Sequence, residues 1–174
     1  GRTQAIVNDL APAYVTKVIE RERETGNVYG AKACKAKLDG IPETGDTLVW
    51  LGATARYATP CVANALLSLL HKAKVSFAVL KNEPASGCAL GDLTGFVEEV
   101  RDEAKKAGEA IRASGAKKLV VLDSYDAALF RHEYKDWGVE LPEVVTATSF
   151  VCELVKDGRL TPRKEALKAA YHDG

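Results

Sequence analysis

Three short apolar runs at residues 47–52, 75–80 and 117–122, separated by stretches of helical periodicity, constrain this chain more than anything else in it. Runs that are apolar at successive positions belong to strands covered on both faces. Strand–helix alternation then leaves few solutions: parallel strands joined by right-handed crossovers, with helices packed on the sheet. The first crossover holds a helix over 62–72 that Pro60 can open, because a first turn needs no proline amide. The second holds a helix over 93–114, where Phe96, Val97, Val100, Ala104, Ala107 and Ile111 recur at helical spacing before Gly115. Beyond the third run, Asp123 or Ser124 caps a helix to about Lys135. A strand at 143–146 and an amphipathic helix at 149–156 complete the pattern.

Ahead of the sheet, residues 4–24 read as one helix with an apolar stripe through Ile6, Leu10, Val15, Val18 and Ile19. The charge run Glu20-Arg21-Glu22-Arg23-Glu24 reads as its solvated end, and Gly26-Asn27 stops it. Residues 26–46, with several glycines, read as an extended connection, and residues 161–174 as helix-prone.

A chain of 174 residues buries about two-thirds of its unfolded surface without help from a metal or disulfide. Lys plus Arg balance Asp plus Glu at 24 each, so no basic field points to nucleic acid or an anionic membrane. No apolar run is long enough to insert in a bilayer, and no signal peptide is evident, so a cytoplasmic setting is expected. Gly1 in place of Met suggests a trimmed tag or an excised fragment. The four cysteines, Cys34, Cys61, Cys88 and Cys152, lie more than twenty residues apart, which is not local metal-site spacing. Cys34, Cys61 and Cys152 read as small buried residues, and Cys88, in a glycine-flanked loop, as the exposed thiol.

Ligands of parallel α/β sheets bind beyond the carboxyl ends of the strands. The loops at 52–59, 81–92 and 123–127 are therefore the candidate site. Backbone amides there, with Arg56, Ser86, Ser124 and Cys88, suit an anion. Glu83, Asp123 and Asp126 suit acid–base chemistry or a hard cation instead, and Ser86 and Ser124 are equally ordinary as turn and cap residues. His71 and His132 have no partner ligands and read as surface or packing residues. Neither a P-loop, a dinucleotide glycine fingerprint nor a serine nucleophile elbow is present.

The contents of these loops carry a resemblance. Gly52-Ala53 follows the first run, Glu83-Pro84-Ala85-Ser86-Gly87 the second, and Ser124-Tyr125-Asp126-Ala127 the third, while Tyr171-His172-Asp173 stands at the end. Order and spacing resemble the cysteine-rich, or CCG, domain of heterodisulfide reductase B-type subunits and of glycolate- and lactate-oxidase iron–sulfur subunits. In that family the corresponding motifs are Gly-Cys, Glu-x-Cys-Cys-Gly, Cys-Pro-x-Cys and, opening the next repeat, Tyr-His-Asp-Pro-Cys. The resemblance covers about residues 26–174. It implies an α/β, parallel-sheet, three-layer Rossmann-like domain holding one CCG-type repeat. Residues 1–46 would be an N-terminal helix and linker, 47–170 the domain, and 171–174 the start of a next repeat.

The family binds a [4Fe-4S]-type cluster through thiolates, and here Ala53, Ala85, Ser86, Ser124 and Ala127 stand at the matched ligand positions. Alanine offers no ligand and a serine hydroxyl is a poor one. The resemblance thus implies a vacated site framed by Ala53, Arg56, Glu83, Ala85, Ser86, Gly87, Cys88, Asp123, Ser124 and Ala127, with no metal or cofactor in this domain. It also implies a structural or docking module in a redox complex, partnered by other subunits or a second repeat. The alternative is a repurposed small-molecule or anion-binding enzyme using the same loops.

Overall fold

The structure, a computed structural model, describes residues 1–166, 168 and 170. Three parallel strands, β1 (Thr47–Trp50), β2 (Lys118–Val121) and β3 (Glu143–Thr146), lie side by side in that order. The expected strand at 75–80 is reduced to a single parallel bridge between Ala78 and Leu48. The Val49 amide donates to the Ala78 carbonyl at 2.9 Å and the Ala78 amide to the Thr47 carbonyl at 2.8 Å. The next amide, Val79, points away from β1 and donates at 2.9 Å to the carbonyl of Pro42, in the loop before β1. The segment still lies along the outer edge of β1, opposite β2. The chain therefore leaves β1 in one direction and returns past it to reach β2.

Period-2 alternation sorts the strand residues onto two faces. Val49, Leu51 and Val120 pack with α3 (Pro60–Lys72) and α7 (Ala147–Lys156) on one side. Leu48, Trp50, Leu119 and Val121 pack with α5 (Val97–Ala113) and α6 (Ser124–His132) on the other. The result is a three-layer, Rossmann-like α/β domain. Between β2 and α6 the cap is Asp123, whose Oδ1 accepts from the amides of Tyr125 at 2.9 Å and Asp126 at 3.3 Å. Before α7 it is Thr146, so that helix starts two residues earlier than the periodicity indicates.

Several helices are divided or shortened relative to expectation. The N-terminal helix breaks into α1 (Arg2–Val7) and α2 (Ala13–Thr25), because Asp9 takes φ +54° and Pro12 interrupts the amide ladder. The helix expected over 93–114 starts only at Val97, as α5, because Gly95 with φ +68° ends a separate helix, α4 (Cys88–Thr94), most of which falls in the stretch 81–92 read as loop. The stretch at Thr54–Ala58, read as loop, is a π-helical turn. Residues 161–166, expected to be helix-prone, carry no regular structure, and Tyr171, His172, Asp173 and Gly174 lie outside the described residues. None of the described helices is long and apolar enough to cross a membrane.

Burial overturns two further expectations. Cys61 and Cys152 are exposed, whereas Cys88 opens α4 and is half-buried, as is Cys34. Glu22, assigned to a solvated helix end, is only 4% exposed. Its position, three residues after Ile19 and seven after Val15, continues the apolar stripe of α2 that packs near Leu90 and Val100.

Candidate functional site

Segment 75–80 lies on one side of β1 and β2 on the other, so the strand order reverses between β1 and β2, and in doubly wound sheets the ligand crevice opens beyond that point. A cavity of about 200 Å³ lies there. Its floor is the turn after β1. Gly52 takes φ +79°, and a β-carbon on it would come within 2.8 Å of the Asp123 β-carbon. The loops after β1 and β2 thus touch at a place where only glycine fits.

Two buried side chains tie the loop after β1 to the loop after residue 80. Glu83 accepts from the Leu51 amide through Oε2 and the Gly52 amide through Oε1, both at 2.8 Å. Arg56, from the π-helical turn, reaches the other way. Its Nη1 donates to the Leu80 carbonyl at 2.9 Å and its Nη2 to the Lys81 carbonyl. Arg56 Nη1 and Glu83 Oε2 approach to 4.0 Å, with both side chains 2% exposed. Burial pushes the Glu83 carboxyl up to about 7, while Arg56 and the two amides pull it down. These two residues form a reciprocal backbone clamp, and the Arg56 guanidinium is engaged away from the cavity except for Nε, which has no partner.

The third loop is held by Asp126. Its Oδ1 accepts from Ser86 Oγ at 2.5 Å and its Oδ2 from the Trp50 indole at 2.8 Å. Ser86 is fixed further by the Tyr134 hydroxyl, which donates to its carbonyl at 2.8 Å, and by the Cys88 amide, 3.2 Å from its Oγ. Burial raises the Asp126 carboxyl to about 6 against the Ser86 hydrogen bond, with the charge of Asp123 adding to the rise. Burial, followed by the charges of Asp126, Asp92, Asp123 and Glu22, pushes the Cys88 thiol up to about 12. Without a metal it is a protonated thiol at neutral pH and not a ready nucleophile.

Of the residues singled out from sequence, Ala53, Arg56, Glu83, Ala85, Ser86, Cys88 and Asp123 line the cavity. Three lie apart from it. Ser124 is exposed at the start of α6, and Ala127 is buried between α6 and the sheet. Gly87 serves the backbone, with φ +89° and Val100 atoms 3.0 Å from any added β-carbon. Sequence reasoning missed Glu22, Gly26, Asn27 and Val28, which bring the N-terminal segment into the cavity wall. It also missed Trp50, whose indole was visible only as part of an apolar run.

Glu22 is the most unusual of these. Its Oε2 is buried and has no hydrogen-bond partner among the described residues; the same holds for Oε2 of Glu103 on α5. Burial and mutual repulsion raise Glu22 to about 7, and burial raises Glu103 to about 7, from an ordinary 4.5. Between those limits the folded chain holds protons that the unfolded chain has released, so both groups make stability fall as pH rises from 4.5 to 7. Glu22→Gln keeps the shape without the charge. Its melting temperature should match the wild type near pH 5 and exceed it by several degrees near pH 8; parallel melting curves at the two pH values would refute this.

An iron–sulfur cluster does not fit this donor set. Ala53 and Ala85 have no donor atom, the Ser86 hydroxyl is committed to Asp126, and Cys88 alone is one thiolate where a cluster needs a set. Carboxylates of Glu22, Asp92, Asp123 and Asp126 around the cavity further disfavour an anionic thiolate cluster. Among the described residues no group of three or more His, Cys, Asp or Glu is placed to hold a metal ion.

No family model matches the chain, and no solved structure gives a significant match. Two curated proteins are similar to it. One is a probable iron-sulfur-binding oxidoreductase, FadF, of Bacillus subtilis, 32% identical over 129 residues, covering 72% of this chain and 18% of that protein. Another is one of the subunits of the dihydromethanophenazine:CoB–CoM heterodisulfide reductase of Methanosarcina barkeri. It is 33% identical over 143 residues, covering 76% of this chain and 34% of that protein. The chain spans about a third or less of the length of either relative. Over roughly three-quarters of its own length, this chain is a relative of the heterodisulfide reductase-like, CCG-domain-type iron–sulfur oxidoreductases.

Proposed function

We propose that this chain is a cluster-less CCG-type domain serving as a structural or docking module of a redox complex, without a cofactor of its own. The observation that carries the proposal is the chemistry of the cavity wall: among the described residues one thiol lines it, Cys88, beside Ala53, Ala85 and Ser86, which offer no thiolate. The residues that remain from the family pattern have backbone duties instead. Glu83 clamps the end of β1, and Gly87 starts α4 where a side chain would strike Val100. Partners would be other subunits of the complex or a second CCG-type repeat that holds a complete thiolate set, in line with the multi-subunit reductase named among the relatives. Residues 1–46 as helix and linker, 47–170 as the domain and 171–174 as the beginning of another repeat belong to the same proposal. On this reading the cytoplasm is the setting. Exposed Val62 and Leu69, on the outer side of α3 seven residues apart, offer an apolar stripe suited to such a contact.

The test is iron content. Purified protein, reconstituted anaerobically with ferrous iron and sulfide, should retain sub-stoichiometric iron and show no thiolate-to-iron absorption. Stoichiometric iron that survives desalting would overturn the reading.

A second reading, small-molecule binding at the same loops, is favoured by the cavity itself. An anion is disfavoured, because among the described residues Arg56 is the one basic residue in the wall and it spends both Nη groups on backbone carbonyls.

A further inference from the structure

We propose that the cavity beyond β1 and β2 binds a small organic cation, a protonated amine or amidinium carried on a short apolar body. The first observation is the charge of the wall, where Glu22, Asp92, Asp123 and Asp126 gather and Arg56 faces the carbonyls of Leu80 and Lys81. An acidic wall alone could be ordinary surface. The second observation is independent: Glu22 is 4% exposed, lines the cavity, and has an Oε2 without any hydrogen-bond partner. A buried carboxyl without a donor is ionised only at a cost; no described residue of the chain donates to Glu22 Oε2, so above its pKa a bound cation would be what answers the charge.

The rest of the wall selects among cations. A metal ion needs three or more ligands converging on one point, and the described residues offer no such group. An organic cation spreads its donors and leaves a body to bury. Tyr57 and Tyr125 supply aromatic surface, and Ala53, Ala85 and Ala89 leave room beside it. Aromatic faces attract ammonium and guanidinium groups. About 200 Å³ corresponds to roughly seven water-sized volumes at about 30 Å³ each, which matches a four- or five-carbon amine.

Protons compete with such a ligand. Glu22 faces Glu103 and Lys106 of α5, Asp126 of α6 and Cys88 of α4, beside the surface pair Arg23–Glu99. It must be ionised to pair with a cation, and an alkylamine stays charged to about pH 10. Affinity therefore rises as pH is raised from 6 to 8 and protons are released on binding.

The inference rests on the cluster-less reading, and iron is measured on the same sample to separate the two. Butylammonium and butylguanidinium chlorides are titrated against the whole protein, with sodium butyrate and phosphate at matched ionic strength, following melting temperature and heat of binding. A saturable rise of several degrees with the cations alone is expected, with at least tenfold tighter apparent affinity for wild type than for Glu22→Gln. Asp92→Asn, at an exposed position, should weaken binding by about threefold through lost long-range attraction and serves if the first variant fails to fold. An iron-free, folded protein with no saturable cation response, a response to phosphate or butyrate of equal size, or cation affinity unchanged in both variants overturns the inference. Stoichiometric iron overturns the cluster-less reading instead.

Discussion

Arg56→Met should lower the stability of the domain by about 3–5 kcal/mol, the range for removing one member of a buried ion pair. Three groups lose their partner at once. Glu83, 2% exposed in its side chain, is left beside no positive charge, and the carbonyls of Leu80 and Lys81 lose their donors. The carboxyl has an escape that the carbonyls lack: with the guanidinium gone it takes up a proton. The loss should therefore be smaller near pH 5 than near pH 8, and the double variant Arg56→Met/Glu83→Gln should recover part of it. Denaturant midpoints at the two pH values measure both effects. A loss under about 1 kcal/mol at either pH, the scale of an exposed pair, would mean that the clamp does not hold the loops.

Gly52→Val carries the second large effect, about 2–5 kcal/mol. A left-handed conformation costs a residue with a β-carbon about 1–2 kcal/mol, and forcing apart a packed contact adds about 1–3 kcal/mol. The contact is severe here, since the added carbon meets the Asp123 β-carbon at 2.8 Å and Asp126 Oδ2 at 3.1 Å. Gly40→Ala supplies the control, because Gly40 has φ +75° and nothing within 4 Å of a β-carbon. It should show the conformational cost alone, about 1–2 kcal/mol. Equal losses at Gly40 and Gly52 in denaturant unfolding would rule out a tight approach of the two loops.

Much of this architecture is legible in the amino-acid order. The runs at 47–52 and 117–122 become β1 and β2 because unbroken apolar stretches fit only a sheet covered on both faces. The run at 75–80 is equally apolar, yet how far an edge segment pairs is decided by tertiary packing. Here it meets β1 only at Ala78, and the Val79 amide on its outer side donates to Pro42. Helix interiors were readable and their breaks less so. Gly95 was one glycine in a periodic stretch, and its αL conformation depends on α4 docking against α5.

The site divides in the same way. The positions of Ala53, Ala85, Ser86 and Asp123 follow from strand ends, which alternation identifies. The roles of Arg56 and Glu83 do not follow, because a buried reciprocal clamp and an exposed binding pair use the same two residue types. Glu22 was hidden by its neighbours in a run of alternating charge, although its spacing from Val15 and Ile19 already placed it on the inner stripe of α2. A helical wheel shows that position; only tertiary packing shows that nothing answers the carboxylate.

The cavity wall draws on α2 and the residues just after it as well as on the loops at 52–57, 83–92 and 123–126. As the chain leaves the ribosome, its earliest contributor has to wait for roughly a hundred further residues before the last arrives. Any fragment beginning at β1 would lack one wall altogether, however well its sheet formed. The binding surface is thus a product of completed folding, and its appearance marks the moment when the N-terminal helix has found its place.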